Sequence, residues 1–313
     1  MPPGTPLTTP LDRDRLLRFF ANAGFKVHRT ANAGWYEAGP RFLLGVPTHM
    51  PLAIDAAEAR AALRATGALG VRYVSARPTE GADSWQMIAS GADYDLEKFS
   101  GNTRSKVRRG LKNNEIRRIS GDELMRTGEQ AFLDTVKRQG RADRYGIDRW
   151  HALLRAADAD SGIEIWAAWH EGVMAAYLLT MVFADNCELY EARSRDDTLK
   201  HYPNNALIYH VTRHLLVERG LPQVTFGIEG LEELESLDQF KLALGFYKKP
   251  VRQRVVFHPL LRTALGLRPV RSALDMLAER KDGSAFWRRA RGLLPYAEIT
   301  EKPVPSPSET PTS

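Results

Sequence analysis

The chain has 313 residues, 43% of them hydrophobic and 26% charged, enough for one large domain or two modest ones with ordinary cores. A net charge of +6 favours encounter with anionic partners, whether nucleotide phosphates, polyanions or acidic membrane surfaces. Its one cysteine, Cys187, excludes an intramolecular disulfide and a cysteine-based metal cluster, and fits a reducing compartment.

The opening, 1–10, is a Pro/Thr stretch expected to be disordered. It lacks the basic region and apolar core of a secretory signal. No run nears the ~18 to 20 apolar residues of a membrane span. A cytoplasmic protein with peripheral contact at the inner membrane face is the expectation. Apolar residues at Leu11, Leu16, Leu17, Phe19 and Phe20 predict a first helix over 11–23. Strands follow at 34–36 and 41–46, an Ala-rich helix at 56–66, and strands at 71–76 and 85–89. These make a small α/β N-terminal unit, 11–98.

A basic helix over 103–114, capped by Asn102, hands over to a strand at 115–119. Helices at 122–139 and 148–157 come next, the second capped by Asp148. From Ile163 the period becomes extended. Strands at 163–169 and 173–183 flank His170-Glu171-Gly172, where glycine supplies the positive φ of a tight hairpin. A turn at Ala184-Asp185-Asn186 leads into a third antiparallel strand, 187–193. A helix over 204–219 stops at Gly220, and a strand at 224–228 precedes a helix over 236–244 capped by Ser236. The last strand covers 251–257, three short helices fill 259–291, and a Pro/Ser/Thr tail, 296–313, is expected to be disordered. The units are thus 11–98, 99–258 and a C-terminal helical segment, 259–295.

The order of these elements resembles the GNAT acyltransferase fold. Ser105-Lys-Val-Arg-Arg-Gly-Leu-Lys-Asn, His170-Glu-Gly-Val-Met-Ala-Ala-Tyr-Leu, and Phe226-Gly-Ile-Glu followed by Leu237-Asp-Gln-Phe-Lys-Leu-Ala-Leu-Gly-Phe are similar to the FemAB-like branch of peptidoglycan aminoacyl-ligases and bacterial acyltransferases. The resemblance, over 99–258, implies a mixed α/β (α+β) fold: a centrally splayed sheet flanked by helices, with the N-terminal unit a candidate degenerate second GNAT copy. It also implies an activated donor lying where two parallel strands splay, its pyrophosphate on the start of the helix after the fourth strand. Helix starts suit anions because their first amide protons carry partial positive charge.

Carried onto this chain, that strand is 188–193 and that helix 204–219. Arg193, Lys200, His201, Asn204 and Asn205 then become the donor-binding candidates. The loop between them, 195–205, lacks the glycine-rich turn of the general family, so the backbone approaches a pyrophosphate less freely. Acyl-CoA is the favoured co-substrate, with no permanent cofactor; aminoacyl-tRNA is the other donor.

Acyl transfer to an amine needs positioning, a route for the amine proton and donors for the oxyanion. Glu191 and Glu188 share the strand and by alternation face opposite ways, so one of them lines the cleft. Glu191, nearer the strand end, is the candidate base; the alternative is a salt-bridged surface glutamate. Tyr190 is a candidate proton donor to the leaving group or a core tyrosine, with Tyr202 in the loop as a second candidate donor. Lys241, beside Phe240, is a candidate for holding a phosphate or transition-state charge or a surface lysine. Arg104, Lys106, Arg108 and Arg109 in the basic helix, with Phe240, are candidate substrate contacts; a solvated face is the plain alternative for the helix. No aromatic residue interleaves the basic run in sequence, which speaks against nucleic acid. His210 and His214 lack the glutamate of a zinc-protease helix, and no metal site is expected. DNA is not an expected partner, and tRNA only as donor.

The function expected is transfer of an acyl or aminoacyl group to an amine of a metabolite or cell-envelope precursor. The alternative is a non-catalytic binding protein that holds an anionic polymer or membrane through its basic face.

Overall fold

A computed structural model describes residues 9–138, 146–228, 230, 235–279 and 285–298. Nearly all of the opening and the tail expected to be disordered lie outside these residues.

The first half carries α1 (Arg13–Asn22), β1 (Val27–Arg29), β2 (Gly34–Gly39), β3 (Phe42–Val46), α2 (Ala56–Thr66), β4 (Gly70–Ser75) and β5 (Ala82–Ser90). The second half carries α3 (Gly101–Asn113), β6 (Glu115–Ile119), α4 (Gly121–Thr127), α5 (Glu129–Arg138), α6 (Ile147–Asp158), β7 (Ile163–His170), β8 (Val173–Val182), β9 (Asn186–Ser194), α7 (Pro203–Arg213), β10 (Gln223–Ile228), α8 (Glu235–Ala243) and β11 (Tyr247–Phe257). Helices α9 (Pro259–Gly266), α10 (Arg268–Glu279) and α11 (Ala285–Arg291) are the three expected over 259–291, and a further one, α12 (Leu294–Glu298), runs into the first residues of the tail expected to be disordered from 296.

All the strands join one mixed sheet in the order β1-β2-β3-β4-β11-β5-β10-β9-β8-β7-β6. From either edge the succession is alike: antiparallel strands, one parallel step (β3 to β4, β9 to β10), then an antiparallel neighbour. That neighbour comes from the other half, since β11 pairs with β4 and β5 pairs with β10.

The helices cover the sheet as the apolar spacing requires. On one face α1, α4, α5 and α6 pack Leu16, Phe20, Leu124, Phe132 and Trp150 against Ile165, Tyr177 and Leu179. On the other, α3 and α7 pack Val107, Leu207, Ile208 and Val211 against Trp166, Leu178 and Leu189. In the first half, α2 lays Ala59, Ala62 and Leu63 on Trp35, Val71 and Tyr73.

Local chemistry revises several expected boundaries. Helix α3 is capped by Ser100, whose side chain accepts from the Thr103 amide, and Asn102 lies inside it. The single helix expected over 122–139 is two, because α4 ends at Gly128, where a Cβ would meet Leu124 Cδ1 at 2.2 Å. Asp148 lies in the first turn of α6, whose N-cap position is Gly146 and so has no side-chain cap, and Ser236 sits inside α8. The helix expected over 204–219 is α7 followed by a π-helical turn, His214–Glu218. The hairpin stands as expected, with Glu171 at φ 49° and Gly172 at φ 78°.

Candidate active site

Strands β9 and β10 keep parallel register only at Asn186, Cys187 and Glu188, opposite Gln223, Val224 and Thr225. Beyond that point β9 follows β8 and β10 follows β5, so the two part and a fork opens in the sheet. Both strands are irregular here. Leu179 pairs with Glu191 and Thr180 with Leu189, leaving Tyr190 as an extra residue without a register partner on β8. The β10 register shifts between Thr225 and Ile228, around Gly227 at φ +73°. Such irregularities raise local twist and re-aim side chains. Gly227 is also needed for space, since a Cβ there would stand 3.1 Å from Glu188 Oε1.

The bulge corrects the expected alternation. Cys187 and Leu189 belong to the α3/α7 core, which puts Glu188 on the opposite face. After the extra residue, Tyr190 packs with the α1/α6 core and Glu191 meets Tyr177 of that same core. Glu188 and Glu191 therefore share a face. Their surroundings differ. Glu191 is 8% exposed and accepts from Tyr177 Oη at 2.7 Å, which in turn accepts from Trp150 Nε1 at 3.0 Å. Arg193 Nη2 donates to the other Glu191 oxygen at 3.2 Å, with its guanidinium 5.4 Å from the Phe132 ring centroid. Glu188 is half-buried at the fork and accepts from Thr48 Oγ1, which belongs to the first half of the chain. Gln86 Nε2 donates to the Thr48 carbonyl at 2.6 Å and holds that loop against the sheet.

At the far end of β9, Asn204 Nδ2 donates to Ser194 Oγ at 2.9 Å, tying the start of α7 to the strand. Tyr202, at φ 56°, precedes α7 and gives it no side-chain cap. Pro203 opens the helix without an amide proton, so the next amides, at Asn204 and Asn205, face the approach to the helix. Helix α3 lies close alongside because Gly110 permits it: a Cβ there would meet the Tyr202 carbonyl at 2.6 Å and Ala206 Cβ at 2.9 Å. That approach puts the Arg109 guanidinium 4.6 Å from the Tyr202 ring centroid. Lys200 is exposed on the short 3-10 turn Leu199–His201. His201 stacks on His170 at 3.8 Å, and partial burial with the His170 and Lys200 charges lowers its pKa.

The remaining candidates lie apart from this group. Arg104 and Arg108 both pair with Glu97, at 2.8 and 2.9 Å, while Lys106 is half-buried. Lys241 sits on the α3/α7 side of the fork, its Nζ 5.1 Å from the Phe226 ring centroid and 3.9 Å from Asp238, with Phe240 packed against that core. Thus Lys241 and Phe240 meet the fork from one face and Glu188, Tyr190, Glu191 and Arg193 from the other. Arg109, Lys200, His201, Asn204 and Asn205 gather at the start of α7.

The basic run is also less bare than its sequence suggests. Arg109 stacks on Tyr202, Arg117 on Trp169 at 4.7 Å and Arg118 on Trp166 at 6.0 Å, so aromatics from β7 and the α7 loop interleave it in space. Beside them a groove of about 730 Å³ opens between Lys112, Asn114, Arg117, Trp169 and Glu171, at the edge of the sheet.

A fork between parallel strands, with an uncapped helix start beyond it, matches the acyltransferase architecture in both order and geometry. Residues 97–241 match the family model of the acetyltransferase (GNAT) domain. This stretch is a GNAT domain. Solved structures share the fold over most of the chain. The C-terminal domain of an Agrobacterium fabrum protein described as a lysylphosphatidylglycerol synthetase is 12% identical with a TM-score of 0.53, covering 85% of this chain and 93% of that one. FemX is 14% identical with a TM-score of 0.52, covering 80% and 92%. L-PGS from Bacillus licheniformis is 13% identical with a TM-score of 0.50, covering 80% and 93%. No curated protein matches the sequence. The matched stretch reaches from the short 3-10 turn before α3 into α8 and so contains both strands of the fork, but Thr48 and Gln86 lie outside it. No sequence signal marked Thr48. Gly227, a glycine in the middle of a β-branched strand, was a readable one.

Proposed function

We propose that the chain transfers an acyl or aminoacyl group from an activated donor, acyl-CoA in the first instance, to the amine of a metabolite or cell-envelope acceptor. The observation that carries this is the fork beyond Glu188 and Thr225, with Lys241 on one face and an accessible carboxylate on the other. The start of α7 suits the donor's phosphates: the helix dipole, the Asn204 and Asn205 amides, Lys200 and Arg109 all favour negative charge there. The bound donor supplies the activated carbonyl. The acceptor amine approaches from the Glu188 face and attacks the carbonyl, Glu188 takes the proton the amine sheds, and collapse of the tetrahedral intermediate breaks the bond from the acyl carbon to the donor's sulfur or oxygen, the leaving group taking up that proton. We assign this role to Glu188 because it sits at the fork, whereas Glu191 is enclosed by Tyr177 and Arg193 and anchors the strand. Lys241 offers positive charge for the developing oxyanion or a donor phosphate.

A second donor, aminoacyl-tRNA, is favoured by the arginine-aromatic pairs on α3, β6 and β7, which suit a stacked, phosphate-bearing strand. Mass spectrometry of acceptor amines incubated with either acetyl-CoA or charged tRNA distinguishes the two. An acyl mass increment from the first donor supports the main reading and an aminoacyl increment from the second supports the alternative. Absence of both, with wild-type folding, refutes transfer.

A further inference from the structure

The three most exposed large apolar side chains among the described residues all fall between Leu260 and Met276: Leu260 at 77%, Met276 at 63% and Leu267 at 53%. Their helices are anchored on the opposite side, where Leu265 and Leu274 pack with Val255 and Phe257. Scattered single leucines on a surface need no explanation, but such a cluster does. Next to Leu260 a groove of about 450 Å³ has Leu63 and Leu69 in its floor and Arg41, Arg64 and His258 at its rim, with no acidic residue lining it. Arg41 is held by the Gly67 carbonyl at 2.8 Å, whereas Arg64 is exposed and makes no ion pair among the described residues. The sequence of this segment is also basic. Residues 259–298 hold eight Lys or Arg against four Asp or Glu, which is +4 of the chain's +6.

We infer that this face seats the chain on an anionic phospholipid bilayer. Leu260 and Leu267 enter the interface, and Arg41, Arg64 and Arg268 meet the headgroup phosphates. A small apolar insertion or a few cations alone bind membranes marginally; together they give reversible anchoring. Leu260 projects from α9 and Leu267 from the junction between α9 and α10, beside a cationic rim, which suits a fluid interface better than a shaped protein partner. Asp275 and Glu279 flank Met276 and oppose an anionic surface there, so the contact centres on α9. No described helix is long and apolar enough to cross the membrane, so the contact is superficial. The inference stands independently of the acyl-transfer reading.

The test is co-flotation of the full chain with vesicles of phosphatidylcholine alone or mixed with phosphatidylglycerol. Binding to the anionic vesicles only, weakening with added salt, is expected. Leu260→Asp should reduce binding at least about tenfold and Arg64→Ala about fivefold. Leu133→Asp, at another exposed apolar position on α5, should leave binding unchanged. Circular dichroism checks folding, and Leu267→Asp replaces Leu260→Asp should the latter misfold. Equal binding to both vesicle types overturns the inference, as does wild-type binding by the folded leucine variant. A dimer on gel filtration that Leu260→Asp dissolves would instead assign the face to a second copy of the chain.

Discussion

At the scale of single residues, the two carboxylates of β9 carry the sharpest distinction. Glu188→Gln should leave the melting temperature near wild type and reduce transfer about a hundredfold, as loss of a general base does. Glu191→Ala should act on folding, because it leaves the Arg193 guanidinium, 8% exposed, without its carboxylate. Removing one partner of a buried pair costs about 3 to 5 kcal/mol, readable by urea denaturation. If Glu191→Ala kept full stability and lost activity, the roles would be reversed. His49 adds a pH dependence. Its side chain is 1% exposed, and burial lowers its pKa from 6.5; Asp185 at 3.3 Å raises it and the Lys249 charge lowers it further. Asp185 is 62% exposed, so its pull is screened and burial dominates. Because the folded-state pKa lies below the unfolded one, the unfolded chain binds the proton more readily. The stabilisation is whole above pH 6.5 and is lost as pH falls through the folded value. Melting temperatures measured from pH 7.5 down to 5 should therefore fall, and His49→Gln should flatten the slope (about one proton's worth). At this scale the sequence placed both carboxylates on one strand but not on one face. The Tyr190 bulge breaks the period of two on which the opposite-face expectation rested, and a bulge has no composition signature in Glu188-Leu-Tyr-Glu-Ala-Arg.

At the scale of elements, the pairing of α3 with α7 builds the end of the fork to which we assign the donor, and Gly110 sets how close the helices come. Gly110→Ala should force them apart against the Tyr202 carbonyl and Ala206, at about 1 to 3 kcal/mol of overpacking. Thermal unfolding reads this directly, and donor affinity should fall with it because Arg109 and the α7 amides move together. An unchanged melting temperature would mean the helices yield without cost. Most elements were legible from apolar periodicity, because α2, β6 and the β7–β8 hairpin have clean spacing and clear turn residues. The expectations failed where a local side-chain bond or a glycine contact decided the matter. Ser100 outcompetes Asn102 as the cap of α3, Gly128 splits a continuous apolar pattern into α4 and α5, and the short β1, Val27–Arg29, is too small to carry a period.

At the scale of the molecule, the exchange of β5 and β11 binds the two halves into one sheet. The mirrored succession of strands is the pattern that a duplicated unit with exchanged last strands would give, and β3 and β4 keep parallel register over three positions as β9 and β10 do. The exchange predicts a single cooperative unfolding transition, with tryptophan fluorescence and far-ultraviolet circular dichroism coinciding in urea. Two resolved transitions would show the halves to be independent. The long-range pairing of β11 with both β4 and β5 was beyond sequence reading, since the pattern over 251–257 announces a strand, four residues shorter than the one formed, but no partner. Thr48 reaches Glu188 only through that arrangement, which brings the first half to the candidate site.

Calorimetric titration of acetyl-CoA into the intact chain tests most directly whether the fork and the start of α7 hold an activated donor. Saturable one-site binding is predicted, weakened about tenfold by Lys200→Ala through loss of a charged phosphate contact and abolished by Gly227→Leu, which would crowd Glu188 at the fork. No binding to the wild type, or wild-type affinity in both folded variants, would contradict it.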